Sequence, residues 1–270
     1  MRSSGLKIVR VAMATGALML LTVRAADATP IYWTDWLPGD SCVGQCFTGT
    51  GSITTPTSTV GVTYTNEAGV GFYQTGAGGE TDYWVQRPTF TRSAATSPYT
   101  SAVVDNIPTG TDIIALQFQG SQTLTFSQTI ANPVFAFVSL NANGYAFLNQ
   151  DFNILSIGGT NGDDCGYWGC GGVTKVIIPL GGGNFLYQLN ASDVGGTEPH
   201  GTIQFTGAFD TLTWTSSSNE FWNGFTVGVQ GTAREVFPPS GDVVPEPGTI
   251  VLFATGLALV AERIRRKKAK

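Results

Sequence analysis

Asn132-Pro-Val-Phe-Ala-Phe-Val-Ser-Leu-Asn141 is the stretch that decides the fold. From Pro133 to Leu140 the run is almost continuously apolar and centres on Val134-Phe-Ala-Phe-Val138, which predicts a central strand buried on both faces. The pattern extends outward on either side. Upstream, Asp112–Gln119 alternates Ile114, Leu116 and Phe118, Gly120-Ser121 turns, and Leu124 and Phe126 answer as an antiparallel partner. Downstream, Phe147 and Phe152–Ile157 continue the core. Val173–Ile178 and Asn184–Leu189 are separated by Gly181-Gly-Gly, and Thr202–Thr206 and Thr211–Thr215 read as a hairpin around Gly207-Ala208. Phe221–Val229 closes the series. Towards the front, Ile31–Trp36, Thr48–Ile53 and Thr59–Thr65 read as strands, and Val62, Tyr64, Val70 and Phe72 alternate with small polar residues as a half-buried antiparallel sheet requires. Gln74–Tyr99 is irregular and Gly/Thr-rich, with Tyr83-Trp84-Val85 its firm apolar point, and is expected as an exposed loop or irregular edge. Helix formers at 3.6 spacing are absent between Thr29 and Val244. The expected fold is therefore all-β, an antiparallel β-sandwich or jelly-roll-like domain.

Both ends of the chain differ from this domain. Arg2, Lys7 and Arg10 precede the uncharged run Val11–Val23, and Ala26-Asp27-Ala28 follows, the layout of a secretory signal peptide over residues 1–28. The expected organisation is that signal peptide, an exported β-sandwich over 29–236, a Pro/Gly linker over 237–244, and a C-terminal segment over 245–270 with an apolar helix at about 248–262. Net charge divides along the same lines. The whole chain carries −5, but four basic residues face sixteen acids between Thr29 and Val244, a balance of about −12. An acidic exterior domain without a basic patch excludes nucleic acid as a partner.

Val244-Pro-Glu-Pro-Gly-Thr opens the C-terminal segment, with the apolar run Ile250–Ala261 and then Glu262-Arg-Ile-Arg-Arg-Lys-Lys-Ala-Lys behind it. The fourteen uncharged residues from Gly248 to Ala261 span about 21 Å as a helix, against a bilayer core of about 30 Å. Snorkelling of Arg263, Arg265 and Arg266 relieves the difference. By the positive-inside rule Arg263, Arg265, Arg266, Lys267, Lys268 and Lys270 stay cytoplasmic, and the residues before Pro245 lie outside. Pro245 and Pro247 hold Glu246 in extended backbone that a processing enzyme can bind. Pro245-Glu246-Pro247, the helix and the basic cluster together resemble the PEP-CTERM sorting signal of Gram-negative bacteria. The resemblance implies export by the Sec machinery, transient anchoring in the inner membrane, and recognition by an exosortase-type membrane enzyme. It also implies delivery to the cell surface or extracellular matrix, among exopolysaccharide or biofilm. Trp33-Thr-Asp-Trp36, Val62-Thr-Tyr-Thr65, Asn132–Asn141 and Trp222-Asn-Gly-Phe-Thr-Val-Gly228 are similar to exosortase-dependent surface proteins, which implies a surface role with no assigned activity. The alternative from the residues themselves is an ordinary single-pass anchor with a stiff linker.

Four cysteines fall in two close pairs, Cys42/Cys46 and Cys165/Cys170. Export into an oxidising compartment favours local disulfides that pin two Gly-rich loops; crossed pairing and a shared zinc site are the alternatives. Chemistry is otherwise sparse. His200 is the one histidine of the chain, sits in the turn-like Glu198-Pro-His-Gly201 and is expected in a surface loop, with no Gly-x-Ser-x-Gly elbow anywhere. No catalytic constellation or cofactor motif is read. A glycosidase needs only two carboxylates, and Asp151, Asp163, Asp164, Asp210 and Glu220 are scattered candidates for a secreted hydrolase. Asp163 and Asp164 in their Gly-rich turn are weak Ca²⁺ candidates. Six tryptophans offer stacking platforms for a carbohydrate-binding module: Trp84 and Trp168 are the expected exposed candidates, while Trp214 and Trp222 lie in strands and are expected in the core.

Overall fold

The computed structural model describes residues 28–42, 46–141, 144–191 and 197–238, without the side chains of 40–42. In chain order the strands are β1 (Tyr32–Trp33), β2 (Asp35–Cys42), β3 (Cys46–Thr54), β4 (Thr59–Asn66), β5 (Phe72–Gln74), β6 (Ile113–Leu116), β7 (Gly120–Ala131) and β8 (Val134–Val138). They continue as β9 (Tyr145–Leu148), β10 (Phe152–Ile157), β11 (Val173–Gly181), β12 (Asn184–Ala191), β13 (Gly201–Phe205), β14 (Ala208–Ser216), β15 (Asn223–Val229) and β16 (Gly231–Thr232). A single helical turn, α1 (Ala233–Val236), follows. Two antiparallel sheets result. One runs β10-β13-β8-β15-β6-β5 with β1 on β15; the other runs β11-β12-β9-β14-β7-β4-β3-β2 with β16 on β7.

The expectation for Pro133–Leu140 is borne out. All five residues of β8 are buried, because alternate side chains enter different cores. Phe135 and Phe137 join the cluster between the sheets, whereas Val134, Ala136 and Val138 face a second cluster on the outer side of the smaller sheet. β6 divides in the same way, Ile114 and Leu116 inward, Ile113 and Ala115 outward. Between the sheets the rings interlock edge to face: Phe135–Trp214 at 5.2 Å and 90°, Trp214–Phe225 at 5.2 Å and 86°. Each such pair adds about 0.5–1.5 kcal/mol to the gain from burial.

The second cluster refines the reading of Gln74–Tyr99 as an exposed loop or irregular edge: the stretch is irregular, with residues 76–79 and 87–95 exposed, but Trp84, Val85 and residues 97–99 are buried. Residues 75–112 form no strand, yet they bring Trp84, Tyr99 and Val104 over the outer face of the smaller sheet. A long irregular segment is stable there because its polar groups are satisfied. Trp84 Nε1 donates to Asp112 O at 3.1 Å, and Gln74 Nε2 donates to the carbonyls of Thr81 and Thr111. Arg92 ties Asp82 at 2.7 Å and the Pro108 carbonyl at 2.6 Å. Trp84 is 1% exposed and stacks edge-on against Tyr99, so it is a structural residue and no sugar platform.

Two expected hairpins are corrected too. β13 pairs with β8 and β10, while β14 pairs with β7 and β9. β6 and β7 likewise belong to different sheets. At Gly207 (φ 123°) and Gly120 (φ 140°) the chain steps across the sandwich instead of folding back within a sheet. The hairpin about Gly181-Gly-Gly is real, with β11 paired to β12. The domain closes on α1 through a capping box: Thr232 Oγ1 accepts from Glu235 N, and Glu235 Oε2 accepts from Thr232 N at 2.6 Å. Glu235 also accepts from the hydroxyls of Thr55 and Thr57, fastening α1 to the β3–β4 turn. Burial would raise its pKa, but these hydrogen bonds prevail and hold it at about 2.

Candidate functional site

Four segments meet at one end of the sandwich: the residues after β8, the Cys165–Cys170 loop, the approach to β13 and the approach to β15. They line a cleft of about 310 Å³ with Ser139, Asn141, Trp168, Glu198, Phe221 and Trp222. Trp168 is 38% and Phe221 85% exposed, whereas Trp222 is nearly buried and forms the floor. Trp222 is braced by Phe72 and Tyr83, each with its ring centroid 4.9 Å away.

The loop that carries Trp168 is fixed at every level. The Cys165–Cys170 disulfide brings the two Cα atoms within 4.7 Å. Inside it Gly166 and Gly169 exchange backbone hydrogen bonds of 3.0 and 3.3 Å. Trp168 O accepts from Glu198 N at 3.3 Å, and Gly171 N donates to Glu198 O at 3.2 Å. His200 lies beneath, fully buried, a correction to its expected place in a surface loop: its turn-like neighbours are covered by the disulfide loop. Its ring occupies the space a Cβ on Gly166 would need. Nδ1 faces Glu198 O at 2.7 Å and Nε2 accepts from Trp168 N at 3.3 Å. Burial lowers its pKa to about 4. Arg87 lies 4.6 Å from the Tyr167 ring and 5.1 Å from the Trp168 ring, holding the indole from one side by cation–π attraction.

The polar side of the cleft is a small network. Ser139 donates to Glu198 Oε2, and Asn141 Nδ2 donates to Oε1 at 3.1 Å. Behind it Glu220 Oε1 accepts from Asn223 Nδ2, and Asn223 Oδ1 accepts from the Tyr145 hydroxyl. Burial raises the Glu220 pKa to about 7; the Asn223 bond opposes the rise, and the charge of Glu198 adds to it. Glu220 Oε2 is buried. The arrangement offers exposed aromatic faces beside carboxylate and amide acceptors and donors, the chemistry that holds a polyhydroxylated ring.

Of the residues singled out by sequence, Trp168 enters the cleft, and Trp214 and Trp222 are buried as expected. The Cys165–Cys170 disulfide removes the crossed pairing and the shared zinc site. Cys46 is disulfide-bonded as well, and the backbone register sets Cys42 opposite it. Asp164 Oδ2 accepts from Thr96 Oγ1 at 2.6 Å, and burial, then the charge of Asp164, raises the Asp163 pKa. Among the described residues no three of His, Cys, Asp and Glu cluster as a metal site. Ser139, Asn141, Glu198 and Phe221 are not among the expected site residues; of these only Phe221, adjacent to Trp222 behind a Ser-rich turn, carries a signal in the sequence. Pro245, Glu246, Pro247, the helix at about 248–262 and the basic cluster Arg263–Lys268 lie outside the described residues, as does most of the expected signal peptide. No family model, curated protein or solved structure matches the chain.

Proposed function

We propose that this chain is an exported surface protein, sorted through its Pro245-Glu246-Pro247 tail by an exosortase-type enzyme, whose jelly-roll-like β-sandwich binds a carbohydrate of the surrounding exopolysaccharide. Export is supported by the leader-like front and by the Cys165–Cys170 disulfide, which suits an oxidising compartment. The carbohydrate reading is carried by one observation: the exposed rings of Trp168 and Phe221 flank Asn141 and Glu198 in a single cleft. This favours a binding module over a purely structural matrix protein.

Titration with neutral oligosaccharides and with the producing bacterium's own polysaccharide tests it through tryptophan fluorescence. Quenching is expected, and Trp168→Ala or Phe221→Ala weakens binding about tenfold or more. An unquenched signal across all glycans overturns the binding reading. Turnover of the glycan that disappears in Glu220→Gln replaces binding by hydrolysis. The sorting half is separate: mass spectrometry of surface-released protein is expected to show a C-terminus near Pro245-Glu246-Pro247, and an intact Lys270 contradicts cleavage.

A further inference from the structure

We propose that the outer edge of β11 is a self-association surface, through which two copies of the chain pair antiparallel, β11 against β11, about a two-fold axis at Val176. The sandwich has four sheet edges, and three are blunted. β2 carries Pro38 and a register break between Leu37 and Asp40. β10 is broken between Ile154 and Ser156, and β5 is three residues long. β11 carries Pro179 and a register shift only at its far end, between Pro179 and Gly181; from Val173 to Pro179 it is regular, and among the described residues it pairs with β12 alone. Such an edge is a template for another strand.

Side chains and charge point to a second copy as the occupant. Val176, Ile177 and Leu180 are 40%, 51% and 55% exposed, with Phe185 and Leu148 exposed beside them. Alternation places Val176 and Ile177 on opposite faces, so pairing there covers apolar surface on both sides of the extended sheet. Residues 173–191 carry Lys175 and no acid, in a domain whose excess of carboxylates opposes approach elsewhere. Lys175 itself is drawn aside, with Nζ on Asp151 and on Phe152 O at 2.7 Å.

The hydrogen-bond phase selects the register. Asn149 N donates to Phe185 O at 2.8 Å, so the backbone groups of Phe185 face β9, and those of its partner Pro179 face the free edge. By alternation Val173, Lys175 and Ile177 present N–H and C=O outward as well. An axis at Lys175 opposes two lysines, and an axis at Ile177 asks Pro179 for an N–H it lacks. An axis at Val176 sets Lys175 opposite the second copy's Ile177, where both bonds are exchanged, and moves Pro179 out to face Val173, so that its missing N–H removes one bond at each end of the ladder and none beside the axis.

Light scattering of the full chain in non-ionic detergent, over a concentration series, tests this. A dimer is expected. Val176→Lys, which opposes two like charges at the axis, weakens it about tenfold or more. Ile177→Pro, which removes only an outward donor, weakens it too, with the melting temperature kept. Independently, Val176→Cys is expected to cross-link to its own copy under mild oxidation, and Leu180→Cys is not, since the close non-hydrogen-bonded pair suits a disulfide. A monomer at every concentration, a dimer indifferent to Val176→Lys and Ile177→Pro, or equal cross-linking at both cysteines overturns the proposal.

Discussion

Because Nδ1 of His200 faces a carbonyl and Nε2 faces an N–H, the ring serves the cleft only as the neutral tautomer protonated at Nδ1. A second proton on Nε2 would face the Trp168 N–H in a dry site, which is why burial pulls the pKa from 6.5 to about 4. The unfolded chain takes up that proton first. The stability His200 contributes is therefore fully present above about pH 6.5 and is lost as pH falls towards 4, on the order of 3 kcal/mol in all. Glu220 runs the other way: with its pKa raised from 4.5 to about 7, its contribution is fully present below pH 4.5 and fades as pH rises through 7. With one histidine in the chain, the imidazole resonance is unambiguous. It is expected to stay in the neutral form from pH 7 down to about 4.5, and titration near 6.5 would remove the buried role.

The elements differ in how far their sequence speaks for them. β8 and β6 were legible because alternation and a two-sided apolar run are local properties of the strand. Their partners were not: Gly120 and Gly207 look like hairpin turns whether the next strand stays in the sheet or crosses to the other, and long-range packing decides. The burial within the irregular segment 75–112 is illegible for a related reason. Its Trp84, Tyr99 and Val104 follow no period, since irregular backbone buries side chains wherever loops happen to turn inward. The cleft was least legible, being assembled from four segments far apart in sequence; only Trp168, a ring between two cysteines, gave itself away. That loop also gives the test at this scale. Cys165→Ser with Cys170→Ser opens a small ring worth about 2 kcal/mol of stability. Glycan affinity is expected to fall well beyond what the lower melting temperature alone brings about, because Trp168 loses its placement. Undiminished affinity in the folded double variant would place binding elsewhere.

On the scale of the whole molecule, two sheets of unequal width share one aromatic core. The wider sheet overhangs the narrower at the β11–β12 hairpin, where Ile177 and Phe185 remain uncovered. The smaller sheet gains a second covering from residues 75–112, so β8 is an interior strand in a domain of only two sheets. The clasp between Glu235 and the β3–β4 turn gives this body a direction. β15 begins beside the cleft at Asn223 and runs seven residues, roughly 23 Å, before β16 and α1 take the chain to the far end of the sandwich. With α1 locked to Thr55 and Thr57, whatever holds the residues beyond 238 pulls on the pole opposite Trp168 and Phe221. On the proposed attachment through the segment that follows, the cleft faces away from the point of attachment.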